Sequence, residues 1–122
     1  MDIKNKILPE YDAVIVGAGP SGCIAAKYLS KQYRVLLLDR LKLPRDKACG
    51  GLLVEETQNF LKKNLPKMPK SVFSFPQKLD LRNIDWNNDK EEYIKRGFYN
   101  VNRIRFDDWI FQLCKKKHIF FR

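Results

Sequence analysis

The chain has 122 residues, of which 44% are apolar, and 24 basic against 14 acidic side chains give a net charge of +10. That is enough for one small domain, and no apolar run approaches the about 20 residues of a membrane span. A basic balance admits nucleic acid, an anionic membrane or an anionic ligand. The basic residues are scattered, though, with one run of three at Lys115, Lys116 and Lys117, and no helix-turn-helix, zinc-finger or RNA-binding signature occurs. Nucleic acid is therefore disfavoured against a solvated lysine-rich surface.

Residues 1–10 form a short polar lead-in without a signal-peptide apolar core, which predicts a cytoplasmic location. The stretch that follows, DAVIVGAGPSGCIAAKYLSKQYRVLLLD, organises the chain. An apolar run at 13–16 predicts a strand and ends at a turn with Gly17, Gly19 and Gly22 in G-x-G-x-x-G spacing. A helix is expected to about Lys31, then a second strand at 35–38 that ends on Asp39. Strand, tight turn, helix and strand fit the about 30 residues of a dinucleotide-binding unit.

Each part has a physical task in such a site. Gly17 permits the turn, Gly19 lets a pyrophosphate approach the backbone, and Gly22 lets helix and strand pack closely. Pro20 suits a first helical turn, where its missing N–H costs little. The free N–H groups and the positive end of the helix dipole then face the phosphates. Asp39, seventeen residues after Gly22, can accept hydrogen bonds from ribose hydroxyls, and its charge disfavours a 2′-phosphate, which ranks NADP last. The fingerprint alone does not separate FAD from NAD, and a plain βαβ turn without a ligand is the competing reading.

After Asp39, Pro44 interrupts regular structure and Arg45, Asp46 and Lys47 are polar. Cys49, Gly50 and Gly51 make a second glycine turn. A helix is predicted over 54–64, with Leu53, Thr57, Phe60 and Leu61 on one face. From the residues alone this is a loop-to-helix turn slightly ahead of a second set of backbone donors. The three cysteines, Cys23, Cys49 and Cys114, are widely spaced and read as reduced thiols, not as a disulfide frame or a metal site.

Residues 65–101 change character. Pro66, Pro69 and Pro76 punctuate the start, and short strands are predicted at 72–75, 78–85 and 93–101, with a turn at Asn87, Asn88 and Asp89. This predicts a small antiparallel insertion. A helix is expected over 103–117, with Phe106, Trp109, Ile110 and Leu113 as its apolar stripe, Asp107 and Asp108 in its first turns and lysines in its last, as the helix dipole favours. Residues 118–121 predict a final strand. The expected organisation is thus 1–64 as the dinucleotide-binding segment, 65–101 as the insertion and 102–122 as the return to the first part. An open α/β sheet normally has about five or six strands, and three parallel candidates leave the first strand as an apolar edge. A partial form is therefore expected.

Three segments together resemble the geranylgeranyl reductase family of FAD-dependent oxidoreductases, within the broad group that includes p-hydroxybenzoate hydroxylase and flavin halogenases. They are DAVIVGAGPSGCIAA with Asp39, PRDKACGGLL, and FYNVNRIRFDDWIFQLC. The first is shared by many flavoproteins; the Lys-Ala-Cys-Gly-Gly turn is more specific, and the Asn-Arg-x-x-Phe-Asp-x-Trp-Ile pattern adds to it. The resemblance covers nearly all of this chain but about the first third of a family member. It implies an α/β fold with a Rossmann-like FAD-binding βαβ core and a small antiparallel insertion, incomplete relative to a full flavoprotein.

By position, the family implies that Gly17, Gly19, Pro20, Ser21 and Gly22 hold the FAD pyrophosphate, with Asp39 on the adenosine ribose and Arg40 beside it. It places Cys49, Gly50 and Gly51 along the flavin and Arg103 on FAD phosphate or ribose. Without the family pattern Arg103 is a surface residue at a helix start. FAD ranks above NAD as cofactor. Family chemistry is hydride transfer from reduced FAD to carbon–carbon double bonds, often in isoprenoid chains. Members carry a later Gly-Asp segment at the ribityl chain and most of a substrate sheet, which this sequence lacks, so the chain is expected to be inactive alone and its catalytic residues are unknown. A flavin monooxygenase or halogenase, or a non-enzymatic basic binding protein, are the alternatives.

Overall fold

A computed structural model describes residues 10–115 and the backbone of residues 119–121. The lead-in at 1–9, the expected helical lysines Lys116 and Lys117, and His118 of the expected last strand lie outside the described residues. The chain divides into two compact units, residues 1–46 with 107–122, and residues 47–106.

The first unit is the parallel α/β part. Strand β1 (Ala13–Val16) leads through the glycine turn into helix α1 (Pro20–Leu29), and β2 (Val35–Leu38) follows. β1 pairs in parallel with β2, Ala13 opposite Val35 through Val16 opposite Leu38, and β2 pairs in parallel with β6 (Ile119–Phe121). The order β1-β2-β6 leaves β1 at an edge among the described residues, with Val14 and Val16 exposed. Helix α1 stops two residues before the expected Lys31. The Ser30 hydroxyl donates to the Lys27 carbonyl, and Lys31 and Gln32 donate in a tight turn to Tyr28 and Leu29.

The core of this unit joins Ala18, Cys23 and Ala26 with Val35 and Leu37 of β2 and with Ile110, Phe111 and Cys114 of helix α3 (Arg103–Cys114). The buried stripe of α3 therefore differs from expectation. Phe106 and Ile110 are buried as expected, but Trp109 and Leu113 are half-buried, and Asp107, Phe111 and Cys114 take their places. The observed stripe runs 106, 107, 110, 111 and 114, one helical face at spacings of three and four. Nor do Asp107 and Asp108 serve the helix dipole: they lie outside the first turn, and no basic residue occupies the last.

The second unit is an antiparallel sheet with a helix. Strand β3 (Leu52–Leu53) pairs with β5 (Lys90–Val101), which pairs with β4 (Phe73–Asp85), in the order β3-β5-β4. The expected strands at 72–75 and 78–85 are one strand. Pro76 has no N–H to give a ladder, and β4 crosses it with a register shift between Phe73 and Lys78 instead of ending. The expected turn is present: Asp85 accepts from the Asn87 and Asn88 N–H groups at 3.0 and 3.3 Å, and Asp89 takes a positive φ of 50°.

Helix α2 (Glu55–Asn64) buries Gln58 and Leu61, while Phe60, expected on the inner face, is exposed. Gln58 reaches a place where two backbone acceptors need a donor: its Nε2 donates to the carbonyls of Leu53 and Gly97 at 3.0 and 3.2 Å. Leu61, Val72, Phe98, Val101 and Phe106 form the apolar core here. Asn102 caps α3 by accepting from the Arg105 N–H at 3.1 Å. The fold is thus α/β, with a Rossmann-like parallel part and a small antiparallel sheet.

Candidate functional site

The glycine turn between β1 and α1 is held by three different constraints. Gly17 has φ +107°, a left-handed conformation that side chains rarely adopt, and its N–H donates to the Leu38 carbonyl at 2.6 Å. Gly22 is fixed by packing: a Cβ there would lie 1.9 Å from the Gly17 carbonyl oxygen. Gly19 has neither constraint. Its φ of −74° and ψ of 178° suit any residue, and a Cβ would meet only the Arg45 Nη2, at an ordinary 3.8 Å. Strain and internal packing thus account for Gly17 and Gly22 and not for Gly19. The backbone at Gly19 therefore accepts a side chain, valine included, without strain.

Gly19 is also the N-cap residue of α1, with Pro20 in the first turn and no side chain capping the helix among the described residues. The first-turn N–H groups of a helix have no intrahelical acceptor, so Ser21 and Gly22 present donors at the positive end of the helix dipole. Ser21 is exposed, while Gly19, Pro20 and Gly22 are half-buried. Below the turn, the Cys23 thiol donates to the Ala18 carbonyl at 3.3 Å. Contact with the Cys114 thiol and burial push the Cys23 pKa up, so it remains a thiol.

Asp39, at the end of β2, is bonded from several sides. Its Oδ2 accepts from the Ala18 N–H at 2.8 Å and from Arg45 Nη2 at 3.0 Å, and its Oδ1 accepts from the Leu41 N–H at 3.0 Å. The carboxylate therefore ties the glycine turn to the end of β2. Burial raises its pKa, but the bonds from Leu41, Arg45 and Ala18 more than reverse this and hold it below its ordinary value.

Arg45 and Asp107 are the parts that sequence reasoning missed. Arg45 Nη1 lies 3.7 Å from Asp107 Oδ2, while its Nη2 holds Asp39, and the three side chains are 11%, 0% and 6% exposed in the order Arg45, Asp107, Asp39. One guanidinium thus lies between two carboxylates, next to the open side of Gly19. The available signals were an arginine six residues after the strand-terminal acid and the places of Arg45 and Asp107 inside the PRDKACGGLL and Asn-Arg-x-x-Phe-Asp-x-Trp-Ile segments; neither said that the two side chains meet.

The remaining sequence candidates are placed as follows. Arg40 is exposed beside Asp39 in the first unit. Cys49, Gly50, Gly51 and Arg103 belong to the second unit. Cys49 is exposed and its sulfur accepts weakly from the Gly51 N–H at 3.5 Å. Gly51 has φ +74°, and a Cβ would sit 2.0 Å from the Val101 carbonyl oxygen, so the β3–β5 pairing itself accounts for this glycine. Gly50 meets nothing within 4 Å. Arg103 is the first residue of α3 and half-buried.

A family model described as an NAD(P)-binding Rossmann-like domain matches residues 15–51. Protein CbrA of Shigella dysenteriae serotype 1 and of Escherichia coli strain K12 is 28% identical over an alignment of 107 positions that covers 84% of this chain and 30% of CbrA. The chain thus spans under a third of these curated relatives. Among solved structures, a triple mutant of the flavin-dependent brominase Bmp2 aligns with a TM-score of 0.73 at 23% identity, covering 93% of this chain and 29% of that one. A flavoprotein/dehydrogenase from Cytophaga hutchinsonii gives 0.63 at 19%, covering 92% and 29%. A single-residue mutant of halogenase PltM, solved in complex with FAD, gives 0.61 at 16%, covering 92% and 27%. At these identities the likeness establishes the fold.

Proposed function

We propose that the chain is the FAD-binding portion of a flavin-dependent oxidoreductase. The observation that carries this reading is Gly19, whose missing side chain relieves neither backbone strain nor close packing and leaves room for a diphosphate beside the first turn of α1. FAD, when bound, supplies reversible hydride acceptance and delivery. The chain's own part is to bind and orient: N–H groups of Ser21 and Gly22 toward phosphate, Arg45 as the nearest cation, and Asp39 as the ribose acceptor. Asp39 fits that role because a carboxylate offers about four lone-pair sites and its described protein donors leave one on Oδ1. Its charge also disfavours a 2′-phosphate. Arg40, Cys49, Gly50, Gly51 and Arg103 are the further cofactor contacts of this reading.

Within the flavin class, the Lys-Ala-Cys-Gly-Gly turn and the pattern from Asn102 to Ile110 support a geranylgeranyl reductase type, acting in its full-length form on an isoprenoid or other apolar substrate. The brominase and halogenase among the similar structures favour a second reading, a partial flavin halogenase. In both readings the chain's own part is to bind the cofactor, and it spans 30% of the curated relatives it matches. The test is flavin titration of the purified chain. Quenching of FAD fluorescence with saturable binding is the expected result. No flavin binding, with salt-sensitive nucleic-acid binding in its place, overturns the proposal.

A further inference from the structure

Asp39 cannot serve Arg45 and a ligand equally. With the guanidinium bonded to Oδ2, the side chain is 6% exposed, so the lone pair left on Oδ1 is closed to a ribose hydroxyl until Arg45 gives ground. An arginine released from Asp39 with nothing else to hold it would return to solvent and lose its place. Here a second carboxylate, Asp107, fully buried and 3.7 Å from the other amino group, can retain it. Asp107 comes from α3, not from the loop that carries Arg45, so its position does not depend on that loop. We propose that ligand binding moves the Arg45 guanidinium from Asp39 onto the ligand's diphosphate, and that Asp107 is the positioning residue that keeps Arg45 at the site in both arrangements.

This rests on the dinucleotide reading of the glycine turn and adds two residues to it. Arg45 is suited to the exchange: a guanidinium has five donors in a rigid fork, so it can hold a carboxylate on one edge and a phosphate on the other. The exchange replaces one charge-assisted bond by another. Asp107 touches no ligand in this scheme, and its effect passes wholly through Arg45.

The experiment is a double-mutant cycle on the 122-residue chain, with ADP, FAD and riboflavin as probes. Arg45→Met is expected to weaken ADP and FAD about 10- to 100-fold, the loss of a charge-assisted bond, and to leave riboflavin, which has no phosphate, unchanged. Asp107→Asn is expected to weaken ADP and FAD several-fold, to spare riboflavin, and to have no further effect in the Arg45→Met background, since coupled residues are non-additive. Asp107→Glu is expected to restore part of the affinity. An equal Asp107→Asn effect in both backgrounds marks a structural role and overturns the proposal, as does wild-type ADP affinity in Arg45→Met. Should Asp107→Asn fail to fold by circular dichroism, Asp107→Glu is read through the same cycle. ADP binding that needs Arg45, with no flavin binding at all, would sink the flavin reading and leave this inference standing.

Discussion

Replacing Gly19 separates a ligand requirement from a folding requirement. At φ −74° a new Cβ finds only Arg45 Nη2 at 3.8 Å, so the folded protein accepts it. Gly→Ala at a compatible conformation gains about 0.4–1 kcal/mol through the unfolded chain, and an alanine N-cap loses a similar amount relative to glycine. The net change is within about 1 kcal/mol, or a melting shift of at most about 4–8 °C for a domain of this size. Binding responds differently. A phosphate oxygen sits about 2.7–2.9 Å from a donating N–H, whereas a methyl carbon holds its neighbour at about 3.5 Å or more. The ligand must retreat, and each charge-assisted bond lost costs about 1.5–3 kcal/mol. Gly19→Ala should weaken FAD at least about tenfold, and Gly19→Val should abolish measurable binding, both with near-native melting curves. Gly22→Ala is the contrast: its Cβ falls 1.9 Å from the Gly17 carbonyl oxygen, so it should lower stability by about 2–3 kcal/mol or more. Thermal melting and flavin titration, run on all three variants, decide the matter. A folded Gly19→Val chain with wild-type affinity, or a Gly19→Ala chain as unstable as Gly22→Ala, refutes the reasoning.

Other outcomes follow from the same geometry. Asp39 has a folded pKa below its ordinary 3.8; its contribution to stability is therefore fully present above that value and is lost as pH falls through the folded value. Urea unfolding from about pH 7 to about pH 2 should show the acid-side loss reduced in Asp39→Asn, and an unchanged profile would refute the assignment. Gln58→Leu strands the Leu53 and Gly97 carbonyls that Nε2 now satisfies and should cost about 1–3 kcal/mol of unfolding free energy in denaturant titration, despite being an apolar substitution at a buried helix position. Ile110→Ala, at 1% exposure, should cost about 2–5 kcal/mol, whereas Trp109→Leu should cost less, because Trp109 is half-buried; reversed magnitudes would contradict the observed helix face.

Several features could be read locally because their causes are local. The turn at 17–22 needs glycines at fixed offsets, and the alternation of apolar run, helix and apolar run leaves few folds besides a βαβ unit. Asp39 announces itself by closing a strand at the right distance. The turn at 87–89 follows from short polar side chains that bond their own backbone. Helix faces were less legible. In α2 the apolar count favoured Phe60, but the interior there offers two carbonyl oxygens, and an amide side chain stabilises that place better than a ring. In α3 the buried face includes an aspartate, which no rule of apolar spacing would select.

By itself, then, the sequence determined the parallel βαβ unit, the glycine turn with its acid, and the presence of a small antiparallel sheet, since each depends on residues within a few positions or one strand length of one another. Tertiary structure alone decided that Gly51 is held by the Val101 carbonyl and that Gly19 is not constrained by strain or packing, and that Arg45 and Asp107, 62 positions apart, share one buried ion cluster with Asp39. The physical reason is the range of the interactions: backbone conformation and periodic burial are written in neighbouring residues, whereas a carboxylate buried from a distant helix against a guanidinium leaves no periodic trace in the chain.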